Sequence, residues 1–151
     1  MVQGSFELSN NSSIEIKGKS FDLNSFKSLN DILQKLTHKN KTKNISLIGN
    51  FNTELQLNSI FSKANEIDEA LSLLQHITRT IEESSIKFIS HVNGVVRGPA
   101  LELALSCNCI KAEIDTSLDF AYTNEDLIPF FGSIQRVIKI LGYKKALQIL
   151  L

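Results

Sequence analysis

One acidic side chain stands where acids are rare. Glu102 lies inside the run Ala100, Leu101, Glu102, Leu103, Ala104, Leu105, between His91 and Cys107. A carboxyl in apolar surroundings is desolvated, which disfavours its charged form and suits it to passing a proton near neutral pH. Glu102 falls in the first turn of a helix beginning near Gly98, and a second reading has it merely face water and complement the helix dipole. Just upstream, Asn93-Gly94 ends a strand, and a short loop leads to a helix start near Gly98. Such a junction points free backbone N–H groups and a partial positive charge forward, so it can bind an oxyanion. Other reactive side chains carry less. His76 has no His, Asp or Glu partner at metal-ligand spacing and reads as a helix-surface residue. The lysines between Lys39 and Lys43 read as a solvated loop that could touch an anion. Cys107 and Cys109 sit two apart, which matches neither a zinc knuckle nor a redox CxxC pair. We read them as reduced, buried thiols.

These residues need a scaffold, and hydrophobic periodicity supplies one. SIEIKGKSFDL, residues 13–23, alternates on both sides of Lys17-Gly18-Lys19 and reads as a small hairpin. A helix follows, with Asn24 or Ser25 as N-cap and Phe26, Leu29, Ile32, Leu33 and Leu36 as its apolar stripe. NISLIG, residues 44–49, is a buried strand ending at a glycine. The clearest helix runs from about Asn65 to Glu83, with Ile67, Ala70, Leu71, Leu74, Ile77 and Ile81 on one face. IKFISHV is the next strand, GPALELALSC a short apolar helix, and CIKAEI and LDFAY two more strands. GSIQRVIKIL is a helix stopped by Gly142, and YKKALQILL begins another. Strand and helix alternate, so the class is α/β with parallel strands and crossovers.

The chain has 151 residues, with 16 basic and 16 acidic side chains and 42% hydrophobic residues. That is the balance of one ordinary globular domain, residues 1–151, without repeat, linker or low-complexity tract. Zero net charge argues against nucleic acid as a partner. No apolar run approaches the ~20 residues of a membrane helix. The start, MVQGSFELSNNSS, lacks the basic and apolar regions of a signal peptide, so a cytoplasmic location is expected and sequons such as Asn44-Ile45-Ser46 carry no meaning.

Two blocks carry a family resemblance. HVNGVVRGPALELALSCNCIKAE resembles the signature of the crotonase superfamily, the enoyl-CoA hydratases and isomerases: a strand, NG, a Gly-rich turn, then Glu followed by LALAC-like residues. DLIPFFGSIQRVIKILGYKKALQILL looks like that family's IPG-x-GG-x-QR segment, the helix after it, and G-x-x-KA-x-x-LL. The resemblance covers residues 86–151 most closely, and its nearest flavour is the hydratase-like part of fatty-acid β-oxidation multifunctional enzymes. It implies a ββα spiral core, shortened at its C-terminal helical part. It also implies chemistry on acyl-CoA thioesters, with CoA arriving as part of the substrate, no metal or other cofactor, and a homo-oligomer. In that family two backbone N–H groups hold the thioester oxygen while one or two glutamates move protons. The resemblance puts the first carboxylate at Glu102, one oxyanion donor at Pro99 beside Gly98, and the other near Asn50 and Phe51.

The departures from the family pattern fall on the chemistry. Proline has no N–H, so Pro99 cannot donate, although proline is favoured at a helix start. Ala100 N–H is the nearest substitute. The family's second carboxylate aligns with Tyr122, a weak base near pH 7; Glu125 and Asp126 lie close by. Phe130 and Phe131 replace glycines of the family's turn after Pro129, where they line or fill an acyl pocket. Two functions are therefore expected in competition: an enoyl-CoA hydratase/isomerase with weakened catalysis, and a non-catalytic crotonase-like binding or assembly module.

Overall fold

Most of the predicted elements form, and each finds its place through its connections. The computed structural model describes residues 2–10, 12–38, 43–56, 64–120 and 131–150. Their strands are β1 (Ser5–Ser9), β2 (Ser13–Lys17), β3 (Ser20–Phe21), β4 (Asn44–Gly49), β5 (Glu54–Leu55), β6 (Lys87–Val92), β7 (Val95–Arg97), β8 (Cys109–Ala112) and β9 (Ser117–Asp119). Their helices are α1 (Leu23–His38), α2 (Ala64–Glu83), α3 (Gly98–Ser106), α4 (Ser133–Leu141) and α5 (Tyr143–Leu150). β2, β4, β6 and β8 lie side by side and parallel, in chain order, with β1 antiparallel at the β2 edge. The second strands go elsewhere: β3 pairs with β5 and β7 with β9, both parallel, and a bridge between Asn52 and Arg97 links these ladders. The chain thus repeats one motion: a strand in the broad sheet, a short strand in a narrow layer, then a helix.

No sequence repeat marks these turns; the recurring sign is a glycine at the corner between the two strands. Gly18, Gly49 and Gly94 have φ of 72°, 110° and 58°, the left-handed region that a Cβ penalises. At Gly18 and Gly49 the corner is also tight. A Cβ there would sit 2.3 Å from the carbonyl oxygens of Gln3 and Ile16, respectively.

Residues 13–23 depart from the expected hairpin. β2 pairs antiparallel with β1, Leu8 opposite Ile14, and β3 leaves for the second layer. Alternation reports which side of a strand faces the core, not which strand lies beside it. The cap of α1 also moves. Asp22 Oδ1 accepts the Ser25 amide at 2.8 Å and the Ser25 hydroxyl at 2.8 Å, so the cap is Asp22 rather than Asn24 or Ser25. Burial pushes the Asp22 carboxyl up, but these bonds and the one from Gln3 outweigh it and hold it below its ordinary value.

The core lies between the sheet and the helices. The α1 and α2 stripes are buried as expected at Phe26, Leu29, Leu33, Leu36, Leu74, Ile77 and Ile81. Phe6, Phe21 and Phe26 stack with ring centroids 4.8–6.1 Å apart. Phe131 meets Phe26 edge-on at 5.6 Å. The cysteines separate: Cys107 is half-buried with its thiol pushed up to about 12 by burial, while Cys109 is exposed, against the expectation of two buried thiols. Cys109 is the first residue of the sheet-edge strand β8, which explains its access to solvent.

Candidate active site

The junction singled out in the sequence forms. β6 ends at Val92, the chain turns at Gly94, β7 runs to Arg97, and α3 begins at Gly98 with proline in its first turn. From Pro99 to Ser106 every residue of α3 is buried. The helix therefore faces protein on all sides, which is why its sequence shows an apolar run rather than a stripe.

The start of α3 is laced to residues 51–53. Arg97 N–H donates to the Phe51 carbonyl at 2.9 Å. The Thr53 hydroxyl donates to the Arg97 carbonyl at 2.9 Å and accepts the Ala100 N–H at 3.1 Å. α3 has no side-chain cap from its own N-cap position, Arg97; Thr53, from a different turn of the spiral, supplies the bond that a capping Ser or Thr would make. Gly98 makes the approach possible. Its φ is +62°, and a Cβ there would lie 2.2 Å from the Thr53 carbonyl oxygen. For an oxyanion site the outcome is unfavourable. Pro99 has no N–H, and the substitute donor, Ala100, is already bonded to Thr53. Phe51 turns its ring into the core, 2% exposed.

Glu102 sits in the second turn of α3 rather than the first, and it is fully buried, which overturns its reading as a water-facing complement to the dipole. The helix starts at Gly98 as expected, so Glu102 falls beyond its first turn; what the local sequence does not contain is the protein that covers this face of the helix. Oε2 of Glu102 accepts the Phe131 amide at 2.9 Å and the Ser133 hydroxyl at 2.5 Å. The Phe131 backbone is gripped from its other side. Its carbonyl accepts Arg136 Nη1 at 2.5 Å and shares the Thr78 hydroxyl, at 3.1 Å, with the Gln75 carbonyl of Thr78's own helix, also at 3.1 Å. Glu82 holds the same guanidinium through two bonds, at 2.8 and 2.9 Å. The Phe131 side chain is 1% exposed and fills core space against Phe26.

Of the residues singled out, the structure thus brings Phe51, Gly98, Pro99 and Ala100 together at one helix start. Glu102 and Phe131 meet one turn further in. Tyr122, Glu125 and Phe130 lie outside the described residues, as do Asp126 and Pro129. Thr53, Thr78, Ser133 and Arg136 were missed. Thr78 carried a faint signal, a polar residue beside Ile77 on the buried stripe of α2; Thr53 carried none. A cavity of about 650 Å³ opens between α2 and α4, lined by His76, Arg79, Phe131 and Arg136 among others. Glu102 does not line it. His76 is exposed there, as its helix-surface reading expected. Among the described residues no three His, Cys, Asp or Glu side chains cluster as a metal would need, and no helix is long and apolar enough to cross a membrane.

No protein-family model matches the chain. Curated relatives do. The enoyl-CoA isomerase/hydratase fer4 of Mycosarcoma maydis is 31% identical over 86 residues, 56% of this chain and 31% of that protein. The peroxisomal fatty acid beta-oxidation multifunctional protein AIM1 of Arabidopsis thaliana is 29% identical over 121 residues, 75% of this chain and 16% of that protein. The crystal structure of an enoyl-CoA hydratase from Bacillus anthracis superimposes with a TM-score of 0.77 at 19% identity, covering 97% of this chain and 61% of that one. The chain therefore spans a third or less of these curated relatives and about three-fifths of the solved structure. The ββα spiral is the crotonase fold seen in that solved structure, and the two motif blocks lie in a chain similar in sequence to curated enoyl-CoA hydratase/isomerases.

Proposed function

We propose that the chain is an enoyl-CoA hydratase/isomerase-like protein that handles acyl-CoA thioesters of fatty-acid β-oxidation, with catalysis weakened at the oxyanion site. The observation that carries this reading is the pairing of a buried acid with a donor-poor helix start. Glu102 is desolvated, oriented by two donors, and placed one helical turn beyond Pro99. In this reading Glu102 moves the proton at the carbon chain of the thioester, with Tyr122 or Glu125 assisting. The negative charge that develops on the thioester oxygen meets no N–H at Pro99, and the Ala100 N–H is bonded to Thr53. A missing oxyanion donor costs ~3–4 kcal/mol, or 10²–10³ in rate. CoA enters as part of the substrate, and no other cofactor is required.

The test is hydration of crotonyl-CoA, followed by loss of enoyl-thioester absorbance. The chain should turn over slowly, Pro99→Gly should raise kcat by up to ~10²-fold by restoring a donor, and Glu102→Gln should abolish turnover. Unchanged turnover in Glu102→Gln would overturn the assignment. A second reading, a binding or assembly module without catalysis, is favoured by the Thr53 hydroxyl that occupies the Ala100 amide. It predicts no turnover in the chain or in Pro99→Gly; calorimetry with acyl-CoA then tells a thioester-binding module from one that assembles other partners.

A further inference from the structure

We propose that Thr78 and Arg136 are positioning residues for Glu102, acting through the backbone of Phe131; this rests on the reading of Glu102 as the proton-handling group. The helix that carries the acid does little to aim it, because the other α3 side chains from Pro99 to Leu105 are apolar. Aim comes from the Phe131 amide and the Ser133 hydroxyl, both converging on Oε2. The amide can point there only while the Phe131 backbone keeps its orientation, and the chain bends directly after it at Gly132, φ 89°. A bend of that kind is easily turned unless something holds it. Two groups do so on the carbonyl side: the buried Thr78 hydroxyl of α2 and the Arg136 guanidinium of α4. Glu82 of α2 in turn orients that guanidinium through both its carboxylate oxygens, a bidentate geometry that fixes direction as well as distance. The result is a clamp spanning α2 and α4 whose output is the direction of one N–H. A core filler would not need it, since the Phe131 ring is already seated against Phe26.

The test compares Arg136→Gln, Thr78→Val and the conservative Arg136→Lys by amide hydrogen exchange at Phe131 and by steady-state kinetics with crotonyl-CoA. Arg136→Gln and Thr78→Val should each speed exchange of the Phe131 amide by about tenfold, the equivalent of one lost hydrogen bond. Amides of the β4–β6 core should keep their protection. Where the chain turns over, kcat should fall with KM unchanged, and Arg136→Lys should recover part of both signals. Should Arg136→Gln fail to fold, Thr78→Val carries the same comparison, since it removes one hydroxyl and no charge. A Phe131 amide that exchanges as before in the folded variants, or a loss confined to KM, overturns the proposal. A wild-type chain without turnover, but with a Phe131 amide that answers to both variants, sinks the catalytic reading of Glu102 and leaves the clamp standing.

Discussion

Thr53 offers the sharpest test of how α3 is anchored. Its hydroxyl is fully buried and serves two backbone groups at once, accepting from Ala100 N–H at 3.1 Å and donating to the Arg97 carbonyl at 2.9 Å. Thr53→Val keeps the branched shape and removes only the hydroxyl. The buried Ala100 N–H and the part-buried Arg97 carbonyl would then lose that partner, each at a cost of ~1–3 kcal/mol. The expected loss is about 3 kcal/mol, a large part of the ~5–15 kcal/mol of a typical domain. Thr53→Ser makes the opposite cut. It keeps the hydroxyl and deletes one buried methyl, worth about 1 kcal/mol. Urea unfolding of the three proteins measures both, with the slope m constant and only the midpoint moving. The decisive quantity is the order of the two variants. If Val is as stable as Ser, methyl packing rather than the hydroxyl holds this junction, and the tertiary cap must be given up.

Three further measurements bear on the fold and its thiols. Gly98→Ala should prevent folding or cost more than ~4 kcal/mol, because its Cβ would meet the Thr53 carbonyl oxygen at 2.2 Å. Gly94→Ala, at a similar φ but with nothing within 4 Å, should cost only the ~1–2 kcal/mol of the left-handed conformation; equal losses in thermal unfolding would refute the close approach. At pH 8 a thiol reagent should label Cys109 alone, with Cys107 reacting only on unfolding. The Cys107 thiol is raised from 9.0 to about 12, so below pH 9 both folded and unfolded states hold the proton and stability is undiminished. Between those values only the unfolded state gives it up, so stability should fall by about 1.4 kcal/mol per pH unit as pH rises. Cys107→Ala should flatten that alkaline slope, and a slope unchanged by the substitution would refute the burial of the thiol.

The thread linking these results is that one short helix is specified from outside itself. Its first turn is capped by a threonine 47 residues earlier in the chain, and its acid is held by groups 29 and 31 residues later. Pro99 suits the helix start and deprives it of a donor, and Thr53 takes up the donor that follows. A well-anchored helix and a helix start without a free N–H at Pro99 or Ala100 are thus two consequences of the same few bonds.

The elements were legible in the sequence because periodicity is a local property. Phe26, Leu29, Leu33 and Leu36 announce a helix face, Ile45 and Leu47 a strand face, and Gly98-Pro99 a helix start. The absence of an N–H at Pro99 is likewise a matter of covalent chemistry and needs no fold. What faces what was decided only by the tertiary structure. Whether Glu102 met water or protein, whether β2 paired with β1 or β3, and whether the Ala100 amide was open to a ligand all depend on segments distant in the chain. Hydrogen-bond partners of that kind leave no mark on hydrophobic spacing. A buried threonine such as Thr53 looks, from its neighbours alone, like any polar residue in a loop.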